Sequence, residues 1–191
     1  GNDQSVINKI VETVKKYPRV KLLNVDPGKA TNRTVITFVG DADIIVDAAF
    51  KLISKAKELI DMRKHFGEHP RMGAVDVCPL IPISGISMEE TINLAHKLSH
   101  RVGNELSIPV YCYENAAKEN KRKNLANCRA GEYEGLENKL KDSLWKPDYG
   151  PSEFNDEVRK SGATANSARD FLVAYNVNLN TTSTRRTSKA H

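Results

Sequence analysis

The hydrophobic pattern at the start of the chain is helical. Residues 4–17 place apolar side chains three and four positions apart, which predicts an amphipathic helix. Two short apolar runs follow, at residues 20–26 and 34–40, with the turn-forming stretch PGKATN between them. Because this connection is too short to hold a crossover helix, the two runs are predicted to pair as antiparallel strands.

The pattern then alternates between helix and strand. Residues 41–60 repeat apolar positions at helical spacing, and Asp41 is predicted to be the N-cap of that helix. Residues 74–83 form a mostly apolar run that predicts a strand. Ser87 and Glu90 match a capping box, which predicts a helix starting there and running to about residue 106.

Two further strands are predicted at residues 108–113 and 171–179, and the polar stretch 115–129 between them is predicted to be helical in pieces. Strands that alternate with long helices indicate an α/β (α+β) layered sandwich, with a mixed β-sheet covered by α-helices on one face. The antiparallel pair argues against a regular dinucleotide-binding arrangement, and the sequence contains no GxGxxG or phosphate-loop motif.

Composition narrows the class of protein. The 191 residues are 39% hydrophobic and 28% charged, with a formal charge of +5, which is typical of a globular domain. No apolar run is long enough to span a membrane, so no membrane partner is expected. The basic run at residues 118–123 lacks interleaved aromatic residues, so it is interpreted as solvated surface and no nucleic-acid partner is expected. Three widely spaced cysteines predict reduced thiols in a cytoplasmic protein: Cys78, Cys112 and Cys128.

The stretch HFGEHPRMG holds the most distinctive polar cluster. His65, Glu68 and His69 match the H-x-x-E-H zinc pattern, which needs both histidines on one face of a helix. Gly67 and Pro70 oppose a helix here, so no metal is predicted and the zinc hydrolase is kept only as a minor alternative. The preferred interpretation is a stiff loop, on which His69 is either an acid–base residue that accepts and returns a proton or an ordinary surface or hydrogen-bonded histidine.

Two other polar segments are candidates for binding. Asp26 ends one predicted strand and Arg33 begins the next, where its guanidinium could clamp a carboxylate. Residues 145–162 combine Trp, Tyr and Phe with Pro and Gly, which suits either a flat heteroaromatic ligand or a flap without a binding role.

Six segments together resemble the N-terminal subdomain of glutamate formimidoyltransferase, the folate-dependent transferase of histidine breakdown, which is also found fused to a cyclodeaminase. The resemblance runs in order from about residue 21 to residue 179. Its segments are NVDPGKATNRTVITFVG, DMRKHFGEHPRMGAVDVCPLIPISG, IPVYCY, RAGEYEGL, WKPDYGP and GATANSARDFLVAYNVNL.

The resemblance implies an activity and a set of residues. The reaction would transfer a formimidoyl group from N-formimidoyl-L-glutamate to N5 of tetrahydrofolate, a co-substrate, with no metal. The histidine of the family's GEHPRMG motif falls on His69, the expected acid–base residue, and Asp26 is expected to orient or charge-stabilise it. The family's folate loop matches the segment that starts at Gly150, Pro151 and Ser152 and ends at Gly162. Arg71 and Arg33 are the expected substrate- or folate-binding arginines.

The resemblance also implies a domain organisation. Residues 1–179 would be the N-terminal subdomain without the family's first strand, and residues 180–191 a linker toward a second subdomain that the sequence does not contain. Since the family holds folate between two lobes, a non-catalytic folate-binding lobe stays open as an alternative. A cytoplasmic homo-oligomer is expected, assembled through the second subdomain or through this lobe.

Overall fold

A computed structural model describes residues 3–28, 30–66 and 69–170 of the chain. Its helices and strands follow one another in the order α1 (Gln4–Lys15), β1 (Val20–Gly28), β2 (Arg33–Gly40), α2 (Ile45–Leu59), β3 (Val77–Leu80), α3 (Met88–Leu106), β4 (Val110–Glu114), α4 (Leu125–Arg129), α5 (Leu136–Lys141), α6 (Asp156–Ser161) and β5 (Thr164–Ala168). Short 3₁₀ turns lie at Met62–Lys64, Asn120–Arg122 and Ser143–Trp145.

The strands form two sheets. Strands β1 and β2 pair antiparallel, with Gly28 opposite Arg33 at the turn, which confirms the predicted hairpin. Strands β3, β5 and β4 form a parallel sheet in that spatial order, with β5 in the centre. The architecture is α/β, as the alternating pattern predicted.

The long helices pack together on one face of the parallel sheet. The apolar side of α1 and α2 meets α3 and the first residue of β4 in one buried cluster, which includes Val14, Ile53, Leu98, Val102 and Val110. Alternate side chains of the same strands point to the opposite face. There Tyr111 and Tyr113 pack against residues of the short helices, such as Leu136 of α5.

Some local predictions are confirmed in detail and one is wrong. Helix α3 begins with the predicted capping box: Ser87 Oγ accepts from Glu90 N at 3.1 Å, and Glu90 Oε1 accepts from Ser87 N at 3.3 Å. Asp41 is not the N-cap of α2, because the helix starts four residues later at Ile45. Its main-chain carbonyl accepts from Ile44 N and Ile45 N instead.

The strand predictions in the second half need correction. The run at residues 74–83 contributes only the four residues of β3, because Ala74 N bonds to Ser161 O and a proline follows the strand at 82. The central strand β5 and the helix α6 were not predicted. The predicted strand at 171–179 lies outside the described residues.

Composition gave a correct picture of the thiols and an incomplete one of the basic run. The three cysteines are free, and Cys112 and Cys128 are fully buried. Within the basic run, Arg122 is buried rather than solvated, and it pairs with Asp148 at 3.1 Å. In the described part of the chain, none of the helices combines the length and apolarity that crossing a bilayer requires.

Candidate active site

The backbone at His65 is not helical, although the zinc alternative needs a helix there. The 3₁₀ turn Met62–Lys64 ends at His65, whose backbone is extended at φ −116° and ψ 126°. The two histidines also face different groups: the His65 ring lies beside Asn32, and the His69 ring lies beside Arg33. The geometry that would bring both imidazoles to one zinc ion is therefore not present at His65.

The contacts of the His69 ring define its tautomer. Nδ1 lies 2.6 Å from the main-chain oxygen of Pro70, and Nε2 lies 2.5 Å from Nη1 of Arg33. A carbonyl oxygen can only accept and a guanidinium can only donate. Nδ1 therefore carries the proton, and Nε2 presents the lone pair of a neutral imidazole. This is the state of a general base whose basic nitrogen is Nε2.

The hairpin places Arg33 against this ring. Arg33 is the first residue of β2, and Asn32 before it turns the chain with φ +52°, a left-handed conformation that asparagine tolerates well. The Asn32 amide donates to Phe66 O at 2.8 Å and lies 3.4 Å from His65 Nδ1. Burial lowers the pKa of His65. The turn of the hairpin is thus tied to the segment just before His69.

Arg71 is held by acidic residues from a distant part of the chain. Its guanidinium makes a bidentate pair with Glu134, at 2.9 and 2.7 Å, and donates to His65 O at 3.0 Å. Its main-chain N donates to Glu132 Oε1 at 3.3 Å, and its main-chain O accepts from Tyr133 N at 2.9 Å. Since these contacts occupy the fork of the guanidinium, Arg71 is arranged to position the loop rather than to bind a substrate carboxylate.

A buried ion pair fixes the other end of the same loop. Arg129 Nη2 lies 2.6 Å from Asp76 Oδ2, and the other carboxylate oxygen accepts from Met72 N at 2.9 Å. Burial raises the pKa of Asp76, while the charge of Arg129 acts in the opposite direction. The residues that grip the 71–76 segment are called the clasp below: Arg129, Glu132, Tyr133 and Glu134.

Both ends of the predicted folate loop lie where the parallel strands begin. Gly162, with φ +65°, forms a bridge with Gly73, and a Cβ added there would lie 2.3 Å from Met72 O. Gly150, with φ +85°, packs its backbone against α3, and a Cβ there would lie 2.3 Å from Ile108 O. The structure thus brings Gly162, but not Gly150, against the segment that follows His69.

Three other residues predicted for the site do not contact the imidazole of His69: Asp26, Pro151 and Ser152. Asp26 is exposed on the hairpin, opposite Val35, and its carboxylate makes no hydrogen bond or ion pair with the described residues. The groups that orient His69 are the Pro70 carbonyl and Arg33 instead. Pro151 is half-buried and Ser152 is exposed on the loop.

Sequence reasoning did not identify Asn32, Asp76 or the clasp as parts of the site. The one available indication was the RAGEYEGL segment at residues 129–136, which carries the whole clasp. Its partners lie more than 50 positions earlier in the chain, and no local pattern connects them.

Comparison with known proteins identifies the family of this chain. Residues 1–169 match the model of the formiminotransferase domain, N-terminal subdomain. The formimidoyltransferase-cyclodeaminases of Dictyostelium discoideum and Rattus norvegicus are 49% and 50% identical to the chain over 179 residues. The glutamate formimidoyltransferase of Streptococcus pyogenes serotype M1 is 45% identical over 181 residues.

These alignments cover nearly all of this chain and only part of each relative. They include 94% of the chain in the first two cases and 95% in the third. The chain spans 33% and 32% of the two cyclodeaminase fusions and 60% of the Streptococcus enzyme. With its family model matched from residue 1 to residue 169, the chain belongs to the N-terminal subdomain family of the formiminotransferase domain.

Proposed function

We propose that this chain is the first lobe of a glutamate formimidoyltransferase, and that His69 is its acid–base residue. The observation that carries the proposal is the pair of contacts made by the His69 ring, from which its tautomer is inferred. Its proton is held on Nδ1 by the Pro70 carbonyl, so that Nε2 is the nitrogen able to accept a proton. The names of the relatives support formimidoyl transfer as the reaction.

The proposed chemistry needs one group that moves a proton between two nitrogens. N5 of tetrahydrofolate attacks the formimidoyl carbon of N-formimidoyl-L-glutamate and loses its proton to Nε2 of His69. The resulting tetrahedral adduct collapses when Nε2 returns this proton to the glutamate nitrogen, which then leaves as an amine. The Pro70 carbonyl keeps the ring oriented in both steps, because Nδ1–H donates to it in the neutral and the protonated state.

Other residues have supporting roles in this proposal. Arg33 is exposed beside the ring and is the proposed partner of a substrate carboxylate. The clasp holds the loop, so Arg71 is assigned to positioning. The segment from Gly150, Pro151 and Ser152 to Gly162 is the proposed folate contact. Asp26 lies on the same hairpin as Arg33 and is proposed to act on a bound substrate rather than on His69.

The wider setting is also a proposal. Formimidoylglutamate as donor implies histidine degradation, and free buried thiols are consistent with a cytoplasmic protein. We expect folate to lie between this lobe, residues 1–179, and a second subdomain joined through residues 180–191. We expect the assembled enzyme to be a homo-oligomer, formed through the second subdomain or through this lobe.

The test is transfer by the chain and by its His69→Ala variant. The wild-type chain should release glutamate from N-formimidoyl-L-glutamate in the presence of tetrahydrofolate. The variant should lose at least about 100-fold in rate, the usual range for a removed acid–base group, while its tetrahydrofolate affinity, measured by calorimetry, is unchanged. His100→Ala is the control, because His100 is exposed on α3, where its side chain lies beside Asn104 and edge-on to Tyr149 and makes no contact with His69 that the described residues show.

Two results would contradict the proposal. If wild-type chain and variant transfer the group equally fast, His69 is not the acid–base residue. If both bind tetrahydrofolate and neither transfers the group, the chain is the non-catalytic folate-binding lobe.

A further inference from the structure

The lone pair that makes His69 a base is already occupied. Nη1 of Arg33 donates to Nε2, and the other ring nitrogen is committed to the Pro70 carbonyl. A nitrogen that accepts a hydrogen bond from a guanidinium cannot take a proton from a substrate until that donor moves away. In the arrangement observed here, the base is therefore covered.

The cation that covers it has no anionic partner in the described ranges 3–28, 30–66 and 69–170. Arg71, Arg122 and Arg129 each pair with a carboxylate, and each is mostly buried. Arg33 is exposed, and the one hydrogen bond that its guanidinium makes among these residues goes to the neutral imidazole. A carboxylate is a better acceptor for a guanidinium than a neutral ring nitrogen, because the bond is charge-assisted and can be bidentate.

We propose that Arg33 is a specificity-determining residue that uncovers the base only when the substrate brings a carboxylate. The guanidinium leaves Nε2 to bind that carboxylate, and Nε2 becomes free to accept the proton. This inference deepens the proposed function and rests on it. It differs from a simple carboxylate clamp, because the carboxylate releases the base as well as holding the substrate.

Kinetics with two donors separates these roles. N-Formimidoyl-L-glutamate carries carboxylates, and formamidine is a formimidoyl donor without one. Arg33→Gln should lower kcat/KM for formimidoylglutamate by about 10- to 100-fold, the loss expected for a hydrogen bond to a charged group. The same variant should raise kcat/KM for formamidine several-fold, because the base is no longer covered. Arg19→Gln is the matched control, since Arg19 is an exposed arginine near the far end of the hairpin, paired with Asp43.

The formamidine result decides the inference. An increase in formamidine turnover in Arg33→Gln supports the covered base. Unchanged turnover of formamidine leaves Arg33 as a clamp and overturns it, and a loss with both donors shows a merely structural role and overturns it as well.

A second readout does not depend on turnover, so it remains decisive if the proposed function fails. The ¹⁵N resonance of His69 Nε2 is recorded at about pH 8.5, where an ordinary histidine is neutral. Glutarate, a dicarboxylate without a formimidoyl group, should move the wild-type resonance toward its position in Arg33→Gln, and should leave the variant resonance where it is. An unmoved wild-type resonance at saturating glutarate, or identical resonances in the two free proteins, would overturn the inference.

Discussion

Asp76 and Arg129 expose only 12% and 14% of their side chains, so water cannot hydrate either charge well when its partner is lost. Asp76→Asn keeps the size of the side chain and removes its charge, which leaves the Arg129 guanidinium buried without a counter-charge. We expect the free energy of unfolding to fall by about 3–5 kcal/mol, the usual cost of breaking a buried pair from one side. Urea unfolding followed by circular dichroism measures this loss.

The control for this prediction is Glu137→Gln. Glu137 lies 3.9 Å from Arg159, and both side chains are more than 40% exposed, so its loss should cost less than about 1 kcal/mol. The double variant Asp76→Asn/Arg129→Met should recover part of the stability, since it removes the unpaired charge. Equal losses for Asp76→Asn and Glu137→Gln would show that the Asp76–Arg129 pair does not hold the loop.

At the residue scale, the sequence led to the proposal of His69 but did not indicate the groups that its ring contacts. Gly67 and Pro70 beside it excluded a helix from local chemistry alone. The Pro70 carbonyl as the partner of Nδ1, in place of Asp26, depends on the ring rotamer, and no spacing in the sequence encodes that. The clasp depends on tertiary contacts of the same kind, as the bidentate pair between Arg71 and Glu134 shows.

At the scale of elements, the close approach of two backbones joins the His69 loop to the end of α6. Gly162 allows it, and Gly85 provides a matched comparison. Both have positive φ, +65° and +70°, but a Cβ at Gly85 meets nothing within 4 Å, whereas one at Gly162 would lie 2.3 Å from Met72 O. Gly85→Ala should therefore cost only the left-handed backbone strain, about 1–2 kcal/mol.

Gly162→Ala should cost clearly more than Gly85→Ala, because it must also push the 72–74 segment away from α6. The difference between the two free energies of unfolding, measured in urea, gives the cost of that displacement together with the backbone strain at Gly162, whose φ 65° and ψ −160° are adopted almost only by glycine. We also expect the rate of formimidoyl transfer to fall only in Gly162→Ala. Equal stability losses in the two variants would mean that the two segments separate easily and that this contact does not position the loop.

The elements that were predicted correctly are those whose burial produces a periodic pattern. Helix α1 repeats apolar residues every three or four positions, and the hairpin strands come close to alternating. In both cases one side faces the core and the other faces water. Strand β5 reads TANSA and is buried at every position, since it lies between β3 and β4 with packing on both faces. Small residues suit such crowding, but they give no hydrophobic run, and therefore β5 was missed.

At the scale of the whole molecule, packing on both faces of the parallel sheet removes ionisable groups from water. Burial raises the pKa of Cys112 to about 12 and that of Cys128 to about 11. It also lowers the pKa of Lys139 to about 8. Since unfolding returns each group to its ordinary value, the stability of the fold must depend on pH above neutrality, in a direction that differs for thiols and amine.

Whether each group raises or lowers the stability with rising pH follows from the number of protons that it binds in the folded and the unfolded protein. Between pH 9 and 11 the folded protein keeps the protons of Cys112 and Cys128 while the unfolded chain loses them, so each thiol makes stability fall with rising pH, by up to about 1.4 kcal/mol per unit. Lys139 acts in the opposite direction between pH 8 and 10.5, because there only the unfolded chain keeps the proton. The double variant Cys112→Ala/Cys128→Ala should be less stable than the wild type at pH 8, because it removes two buried side chains. Because it also removes the two thiols, its stability should fall less, or rise, between pH 9 and 10. Urea unfolding of both proteins at half-unit steps measures the two slopes, and parallel slopes would show that these thiols ionise as readily in the folded protein as in the unfolded chain.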